Sequence, residues 1–341
     1  MTREESERFG ERMISAQQIQ ERRRDELLRR QLGPQLLAAI GDPKVTDIVV
    51  NEDGRVWLEA HGKGLFAADF SLPASQRESL IGTVAAALGT VADLDHPIVE
   101  GELPLERIRF EGLMPPVVRQ PCFAMRKPAQ ALYSLDDYVR DRIVTETQAQ
   151  IFRAAIDRRE NILIAGGTGS GKTTLAGALI NEMVARSDPN ERYVIIEDTL
   201  EIQCRAQNLT QLHTAEAADL GRLVRATMRL RPDRIIIGEV RGAEALALLK
   251  AWLTGHPGGV TTIHANSARA ALTRLASLVQ EAGVPPQPEL IAETIKLIAF
   301  IARTPAGRRV TELAWVEGYD AREGFRVSQI GMKDQTPNGR A

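Results

Sequence analysis

From about residue 135 onward, short apolar runs alternate along the chain with longer stretches of mixed apolar and polar residues. This alternation of strand and helix patterns predicts an α/β fold, in which crossover helices connect the strands of a parallel sheet. The runs are short and apolar throughout, as expected for strands that are buried on both faces. The strands are predicted at residues 162–165, 193–196, 234–237 and 259–263.

The pattern before residue 135 is different and predicts a smaller α+β domain. Residues 45–51 and 55–59 are strand-like, and the turn signal Asn51-Glu52-Asp53-Gly54 between them predicts a hairpin. A helix is predicted to end near Gly89, because glycine commonly terminates helices. The other elements predicted in this domain are a helix at residues 80–88 and strands at residues 103–110 and 122–126.

These patterns divide the chain into five segments. Dense charges of both signs, with Arg22-Arg23-Arg24 set between Glu21 and Asp25-Glu26, predict a helical or partly ordered N-terminal arm, which is either solvated or a docking element for a partner or for anionic lipid. Beyond the parallel sheet, residues 289–302 indicate a helix that runs into a strand, and a further strand is predicted at residues 308–317. The segments are the arm (1–32), the α+β domain (33–127), a linker (128–134), the α/β domain (135–330) and a disordered tail (331–341).

One glycine-rich stretch lies directly between a predicted strand and a predicted helix. It reads Gly166-Gly167-Thr168-Gly169-Ser170-Gly171-Lys172-Thr173 and fits the phosphate-loop pattern G-x-x-x-x-G-K-[ST] in the required context. Glycines let backbone N–H groups approach phosphate oxygens, and the helix N-terminus adds positive potential. The residues predicted to bind ATP are Gly166, Gly167, Thr168, Gly169, Ser170, Gly171, Lys172, Thr173 and Thr174.

Polar residues follow each of the predicted strands downstream of this loop. Glu197, Glu239 and His264 stand at or just beyond three strand ends. Ligands of open α/β sheets bind at the carboxyl ends of strands, so we expect these side chains to gather near the loop. A carboxylate there can support Mg²⁺, as can the hydroxyl of Thr173, or it can orient an attacking water.

Composition and charge narrow the classes of function. The chain has 341 residues, which suits two domains, and its net charge of −2 gives no support for sequence-specific nucleic-acid binding. Its two cysteines lack metal-ligand spacing and indicate reduced thiols. The N-terminus is charged and no run of about 18 apolar residues occurs, which favours a cytoplasmic protein.

A phosphate loop alone leaves several activities open. A small-molecule kinase would need a lid and an acceptor pocket, and a DNA helicase or recombinase would need a basic channel. A nucleotide-binding scaffold without turnover would bind ATP but lack hydrolysis that depends on Glu239. The kinase would have its lid and pocket in place of the large N-terminal domain and of Glu197, Glu239 and His264, and the balanced charge gives no support for a basic channel, while the scaffold stays open.

Four segments of the chain, taken together in their order and spacing, are specific for one superfamily of proteins. Residues 166–173, 195–201, 230–241 and 254–264 resemble the Walker A, Asp box, Walker B and His box of the secretion ATPase superfamily. That superfamily serves type II secretion, type IV secretion, conjugation and type IV pili, and the chain is most similar to its conjugation branch. The resemblance covers about residues 33–317 and implies a RecA-like phosphate-loop ATPase core that uses ATP and Mg²⁺.

The resemblance also implies roles, an assembly and partners. Gly238 stands where many NTPases carry an Asp, as is usual in this superfamily, which makes Glu239 the candidate general base. Family members form homo-hexameric rings on inner-membrane components of a secretion or conjugation channel, and N-terminal-domain arginines reach the γ-phosphate. The matching candidates are Arg126 and either Arg107 or Arg109, which alternate with Ile108 and are expected on one strand face. A pilus or type II secretion motor remains an alternative.

Overall fold

The computed structural model describes residues 3–60, 63–103, 105, 107–128, 133–215 and 217–330, with side chains described from residue 22 onward. Part of the predicted linker (129–132) and the whole predicted tail (331–341) lie outside these described residues. The chain forms two compact units, Met1–Gln130 and Ala131–Ala341. Each unit has its own sheet.

The sheet of the first unit is antiparallel throughout. Its strands are β1 (Val45–Val50), β2 (Arg55–Ala60), β3 (Gly64–Ser71), β4 (Ile98–Glu102), β5 (Arg109–Leu113) and β6 (Cys122–Arg126), in the spatial order β3-β2-β1-β6-β5-β4. Helix α2 (Ala74–Leu88) ends at Gly89, which has a φ of 76°. The predicted hairpin, the strand at 122–126 and the helix end near Gly89 are confirmed.

The first helix extends further than the sequence pattern indicates. Helix α1 covers Arg3–Gly41 and is interrupted at Gly33, whose φ of 73° and ψ of 171° are not helical. Four apolar side chains that lie four residues apart along the helix are buried in the core of the first unit, against residues of the sheet and of α2. They are Leu28, Leu32, Leu36 and Ile40. The inner end of the expected solvated arm is therefore part of a hydrophobic core.

The strand predicted at residues 103–110 is wrong for most of its length. Strand β4 ends at Glu102 and β5 begins at Arg109, and between them the Leu103 N–H donates to the Ile108 carbonyl at 2.7 Å, which closes a turn. Arg107 has a φ of 54°, outside the strand region. Leu103, Leu105 and Ile108 are buried. Apolar residues that point into the core from a turn thus imitate the alternation of a strand.

The second unit is a mixed α/β layer structure, and it begins with two helices that have side-chain caps, α3 (Leu135–Arg140) and α4 (Glu146–Asp157). Its other helices are α5 (Lys172–Arg186), α6 (Leu220–Thr227), α7 (Glu244–Leu253), α8 (Ala268–Gln280) and α9 (Pro288–Thr294). Its strands are β7 (Asn161–Gly166), β8 (Tyr193–Glu197), β9 (Leu209–His213), β10 (Arg234–Ile237), β11 (Val260–His264), β12 (Ile295–Thr304), β13 (Gly307–Asp320) and β14 (Gly324–Gln329). Among the described helices of the chain, none is long and apolar enough to cross a membrane.

The strands of the second unit follow the order β14-β13-β12-β7-β11-β10-β8-β9. Pairing is parallel from β12 to β9 and antiparallel from β12 to β14. The four parallel strands predicted for this sheet are confirmed, as are the helix that runs into β12 and the further strand at residues 308–317, which is β13. Strands β3, β4, β9 and β14 were not predicted from the sequence.

One buried side chain aligns three strands at the amino edge of this sheet. The Oδ1 of Asn161, the first residue of β7, accepts N–H groups from Gly258 at 2.8 Å and Gly259 at 3.0 Å. Its Nδ2 donates to the Thr294 carbonyl at 3.0 Å, directly before β12. Strands β7, β11 and β12 are therefore tied together where they begin, which sets the level at which they end.

Candidate active site

The loop after β7 folds tightly because its glycines allow contacts that no side chain would. A Cβ on Gly166 would lie 2.4 Å from the Ile301 carbonyl oxygen and 2.5 Å from the Ser170 Oγ. Gly169 and Gly171 have φ angles of 66° and 100°, in the region that favours glycine. The loop predicted from the sequence thus needs glycine for both space and backbone conformation.

The residues that follow the turn leave hydrogen-bonding groups available to an anion. Helix α5 begins after Gly171, which makes no side-chain cap, so its N-cap residue leaves the N–H groups of the first turn without a side-chain acceptor. The Oγ of Ser170 is buried and has no hydrogen-bond partner among the described residues. A helix N-terminus with unserved N–H groups attracts phosphate. These features fit the phosphate groups of a nucleotide.

The strand ends that carry polar residues are level with one another. In the parallel pairing, His264 is the partner of Gly166, and Ile237 is the partner of Ile196. Strands β7, β11, β10 and β8 are successive neighbours in the sheet. Consequently the phosphate loop, His264, Glu239 and Glu197 follow one another along one edge, as the sequence predicts.

At this edge His264 contacts two of the other predicted residues, Lys172 and Glu239. The Lys172 Nζ lies 3.3 Å from the His264 Nδ1, and the His264 Nε2 lies 3.0 Å from the Glu239 Oε1. This last approach lacks hydrogen-bond geometry, since Glu239 Oε1 is buried with no hydrogen-bond partner among the described residues. Glu239 therefore retains an acceptor position beside a cation and an imidazole. Such a position suits a carboxylate that takes a proton from water.

The amine of Lys172 is held in a partly dry environment. Its Nζ donates to the Gly167 carbonyl at 3.2 Å, and the residue is only 7% exposed. Burial lowers the pKa of Lys172, and the nearby Glu239 carboxylate opposes part of that change. A cation that has already lost most of its water interacts more strongly with an incoming anion than a solvated one.

Glu197 organises the segment that follows β8. Its Oε1 accepts the N–H groups of Glu201 and Ile202, each at 3.0 Å. The absence of a side chain at Gly238 makes room for it, because a Cβ there would lie 3.0 Å from the Glu197 Cγ. The glycine before Glu239 is therefore matched to the carboxylate on the neighbouring strand.

Arg241 joins two strand ends and was missing from the predicted site residues. Its Nη2 donates to the Glu239 Oε2 at 2.8 Å and its Nη1 to the Asp198 Oδ2 at 3.1 Å. It binds the carboxylate oxygen of Glu239 that His264 does not approach. Because Arg241 and Asp198 stand in the same strand endings as Glu239 and Glu197, strand-end reasoning applied to every polar residue would have found both.

The predicted arginines of the first unit differ in their surroundings. Arg107 lies in the turn before β5 and donates to the Glu102 Oε1 at 2.9 Å, so the expected shared strand face with Arg109 is wrong. Arg109 is instead the cross-strand partner of Arg126. Arg126 donates to the Asp47 Oδ1 at 2.7 Å. The antiparallel register thus groups Arg109 with Arg126.

The few protein oxygens near the phosphate loop suit a magnesium ion that is held mainly by the phosphates of a nucleotide. Within the described part of the chain, no group of three or more His, Cys, Asp or Glu residues could hold a metal ion. Mg²⁺ commonly binds through one or two protein groups together with phosphate oxygens and waters. Thr173 follows Lys172 in the first turn of α5, which fits that mode of binding.

Sequence comparisons identify related proteins. Residues 36–312 match the family model described as "Type II/IV secretion system protein". The conjugal transfer protein TrbB of Rhizobium radiobacter is 54% identical over 288 residues, which cover 84% of this chain and 88% of that protein. The probable TrbB of Sinorhizobium fredii is 52% identical, over 86% and 89% of the two chains. VirB11 of Agrobacterium fabrum is 30% identical, over 72% and 79%.

Solved structures share the fold at low sequence identity. The ATPase DotB of Legionella pneumophila aligns with a TM-score of 0.61 and 23% identity, over 80% of this chain and 77% of that one. The pilus retraction motor PilT with bound ADP aligns with a TM-score of 0.60 and 18% identity, over 88% and 83% of the two chains. These likenesses bear on the α/β fold alone.

Proposed function

Because the chain belongs to the type II/IV secretion system protein family, we propose that it is the ATPase of a type IV secretion system that serves conjugal transfer. The names of the relatives with 54% and 52% identity support conjugal transfer in particular. The contact of Lys172 with His264, and of His264 with Glu239, carries the proposal of hydrolysis, because it joins a phosphate-binding cation to a carboxylate that can act as a base. The reaction is ATP and water to ADP and phosphate.

The residues of the loop bind the nucleotide in this proposal. The N–H groups at the start of α5 and the Lys172 amine receive the outer phosphates. Mg²⁺, when bound, neutralises charge on the phosphate oxygens, and Thr173 and Glu197 are the residues proposed to support it. The core is then a RecA-like phosphate-loop NTPase.

Glu239 acts as the general base in this scheme. Arg241 donates to its Oε2 at 2.8 Å, which fixes one oxygen, and the His264 Nε2 lies 3.0 Å from its Oε1, which is left as the acceptor for the water proton. It accepts the proton from water as the oxygen attacks phosphorus. His264 also contacts Lys172, which couples the position of the base to that of the phosphate-binding cation.

Arginines of the first unit complete the proposed mechanism. Arg109 and Arg126 form a cross-strand pair, and we propose that this pair, rather than Arg107, contacts the γ-phosphate. Positive charge there stabilises the oxygens that gain negative charge during phosphoryl transfer. Loss of the γ-phosphate then releases the first unit, which swings about the linker. In a homo-hexamer at inner-membrane components of the channel, this motion drives substrate transfer.

The test is ATP turnover by the purified protein as a function of its concentration, with Glu239→Gln alongside. We expect turnover per subunit to rise with concentration and to fall by about 10²–10⁴-fold in the variant, the range of general base catalysis. Glu293→Gln, an exposed position on α9, makes the same charge change and should turn over ATP normally. A native protein that binds ATP without hydrolysing it would indicate a nucleotide-binding scaffold instead.

The Glu239→Gln variant also tests the swing, because it holds ATP without consuming it. Its small-angle scattering with ATP should differ from its scattering with ADP. Identical profiles would contradict the proposed motion.

Deletion of the gene distinguishes conjugal transfer from pilus function. A defect in twitching rather than in plasmid transfer would favour a pilus motor.

A further inference from the structure

Two arginines of the second unit converge on the phosphate loop from the neighbouring hairpin. Strands β12 and β13 are joined by a short turn, and Arg303 and Arg308 are cross-strand partners on either side of it. The Arg303 Nε donates to the Gly169 carbonyl oxygen at 3.1 Å, and the Arg308 Nε and Nη2 approach the same oxygen at 3.4 Å. One carbonyl in the middle of the loop therefore receives two guanidinium groups.

This contact determines the orientation of a peptide group in the loop. The Gly169 carbonyl and the Ser170 N–H belong to one planar trans peptide, so they point in opposite directions. The arginines draw the carbonyl outward, and the Ser170 N–H turns toward the inside of the loop, where it approaches the Gly167 carbonyl at 3.3 Å. Since Gly169 has a φ of 66° and glycine has broad conformational freedom, an external hold is needed to keep one orientation.

The arginines also pack against the glycines of the loop. A Cβ on Gly169 would lie 3.2 Å from the Arg303 Nη2, and a Cβ on Gly171 would lie 3.3 Å from the Arg308 Cδ. The space that these glycines leave is thus occupied by the two side chains. The arginines and the loop form one packed unit on the outer side of the turn.

We infer that Arg303 and Arg308 are positioning residues of the nucleotide site, which hold the phosphate loop in its anion-binding shape and add two positive charges beside it. The inference rests on the proposed function, since it deepens the account of the same site. A loop that is ordered before the ligand arrives loses less conformational freedom on binding, so its affinity is higher. The substrate class is a nucleoside di- or triphosphate.

Because Arg303 and Arg308 donate to the same oxygen, the Gly169 carbonyl, substituting one or both should have effects that are not additive. If one arginine is removed, the other still holds the Gly169 carbonyl. We expect Arg303→Gln and Arg308→Gln each to raise the Kd for MgATP about twofold to threefold, and the double variant to raise it about 20-fold, more than the product of the singles. The greater loss in the double variant is the signature of a shared carbonyl.

The matched control is Arg309→Gln, one residue further along the same hairpin. The Arg309 Nη1 donates to the carbonyls of Asp141 and Arg142, away from the loop. This variant makes the same change of charge and removes an attachment of the hairpin to the rest of the unit. Its Kd should equal that of the parent even if its melting temperature falls.

The measurement is calorimetric titration with MgATP in the Glu239→Gln background, with melting temperatures recorded in parallel. A parent that binds no MgATP would overturn the proposed function itself. A parent that binds, together with a double variant whose Kd changes less than about twofold, would overturn the positioning role alone. Equal weakening in the double variant and in Arg309→Gln, in step with melting temperature, would also overturn it by indicating a merely structural role.

Discussion

The two units bury their strands in different ways, and this difference explains where each can build a site. In β3 of the first unit, half-buried and exposed residues alternate over Gly64–Ser71, whereas all six residues of β7 in the second unit are buried. Buried and exposed residues alternate along the strands of an antiparallel sheet with one solvent-exposed face, but not along the strands of a parallel sheet that helices cover on both faces. The fully buried strands β7, β8 and β10 of the second unit therefore have little side-chain polarity in their interiors, and the polar residues follow at or just beyond their ends.

The direction of the strands then decides how polar residues meet. Parallel strands present their carboxyl ends at one edge, so that a loop, a histidine and two carboxylates from four strands lie along one line. Antiparallel strands reverse at every step, and polar residues of the first unit meet as cross-strand partners on a face, as Arg109 and Arg126 do. Each unit thus assembles its charged groups by a different geometric rule.

The largest expected effect comes from removing the charged pair of the first unit. The double variant Arg109→Gln, Arg126→Gln should lower the turnover number for ATP about 10³-fold, as expected for arginines that stabilise the transferring phosphoryl group. Its Kd for MgATP should change far less. Steady-state kinetics and calorimetry measure the two quantities.

The control for this pair is Arg55→Gln, an exposed arginine of the same unit whose partner is the Asp53 carboxylate at 3.4 Å. It should leave turnover unchanged. If the double variant also turns over ATP within about twofold of the native rate, these two arginines supply no charge to the reaction. The two units would then differ in how their strands are arranged but not in contributing charge to one reaction.

A smaller effect tests how tightly the parallel sheet is packed. A Cβ on Gly259, before β11, would lie 2.3 Å from the Trp252 Nε1 and 2.4 Å from the Ile235 carbonyl oxygen. Gly259→Ala should therefore lower the free energy of unfolding by about 3 kcal/mol, through overpacking in the core. Urea denaturation measures the loss.

The matched glycine of the first unit is Gly82, within α2, where an added Cβ would meet no atom within 4 Å. Gly82→Ala should raise the free energy of unfolding by about 0.5–1 kcal/mol, because alanine has the higher helix propensity. Equal effects of the two substitutions, in sign and size, would contradict the difference in packing.

The last effect is expected at alkaline pH in the second unit, which contains all four tyrosines of the chain. Burial raises the pKa of Tyr193 from its ordinary value of 10.0 to about 12. The unfolded chain releases this proton first, so between these two values Tyr193 lowers the free energy of unfolding as pH rises, by at most about 1.4 kcal/mol per pH unit. Burial also raises the pKa of Tyr138, which acts in the same direction.

Tyr193→Phe should flatten this part of the profile, although it loses the hydrogen bond to the Glu191 Oε2 at every pH. Hydrogen exchange followed by mass spectrometry separates the two units. Protection that falls first in the tyrosine-free first unit, rather than in the second, would count against this assignment of the alkaline transition.

Much of the second unit is predictable because its signals are local. The phosphate loop combines glycines, a lysine and a flanking strand and helix within a few residues, and the apolar runs mark buried strands. Since parallel strands end at one edge, Glu239 and His264 could be expected together before their contacts were known. The hairpin of the first unit is equally local, because its turn residues lie between its strands.

The remaining features depend on pairing between distant segments. Nothing near Arg303 or Arg308 indicates that β12 lies beside β7, so their contact with Gly169 cannot be derived from the sequence. Arg107 was assigned to a strand because buried residues of a turn alternate like those of a strand. Strand β3 was missed because its alternation includes few strongly apolar residues.

The amide of Asn161 has a consequence for anyone who would move this site to another protein. Copying the loop and the strand-end residues would transfer the chemistry but not the side chain that fixes where the strands start. A strand that slips by one residue moves by about 3.3 Å, further than the 3.0 Å between the His264 Nε2 and the Glu239 Oε1. A transplanted site should therefore also include Asn161 and its hydrogen bonds with Gly258, Gly259 and Thr294 at the amino ends of the strands.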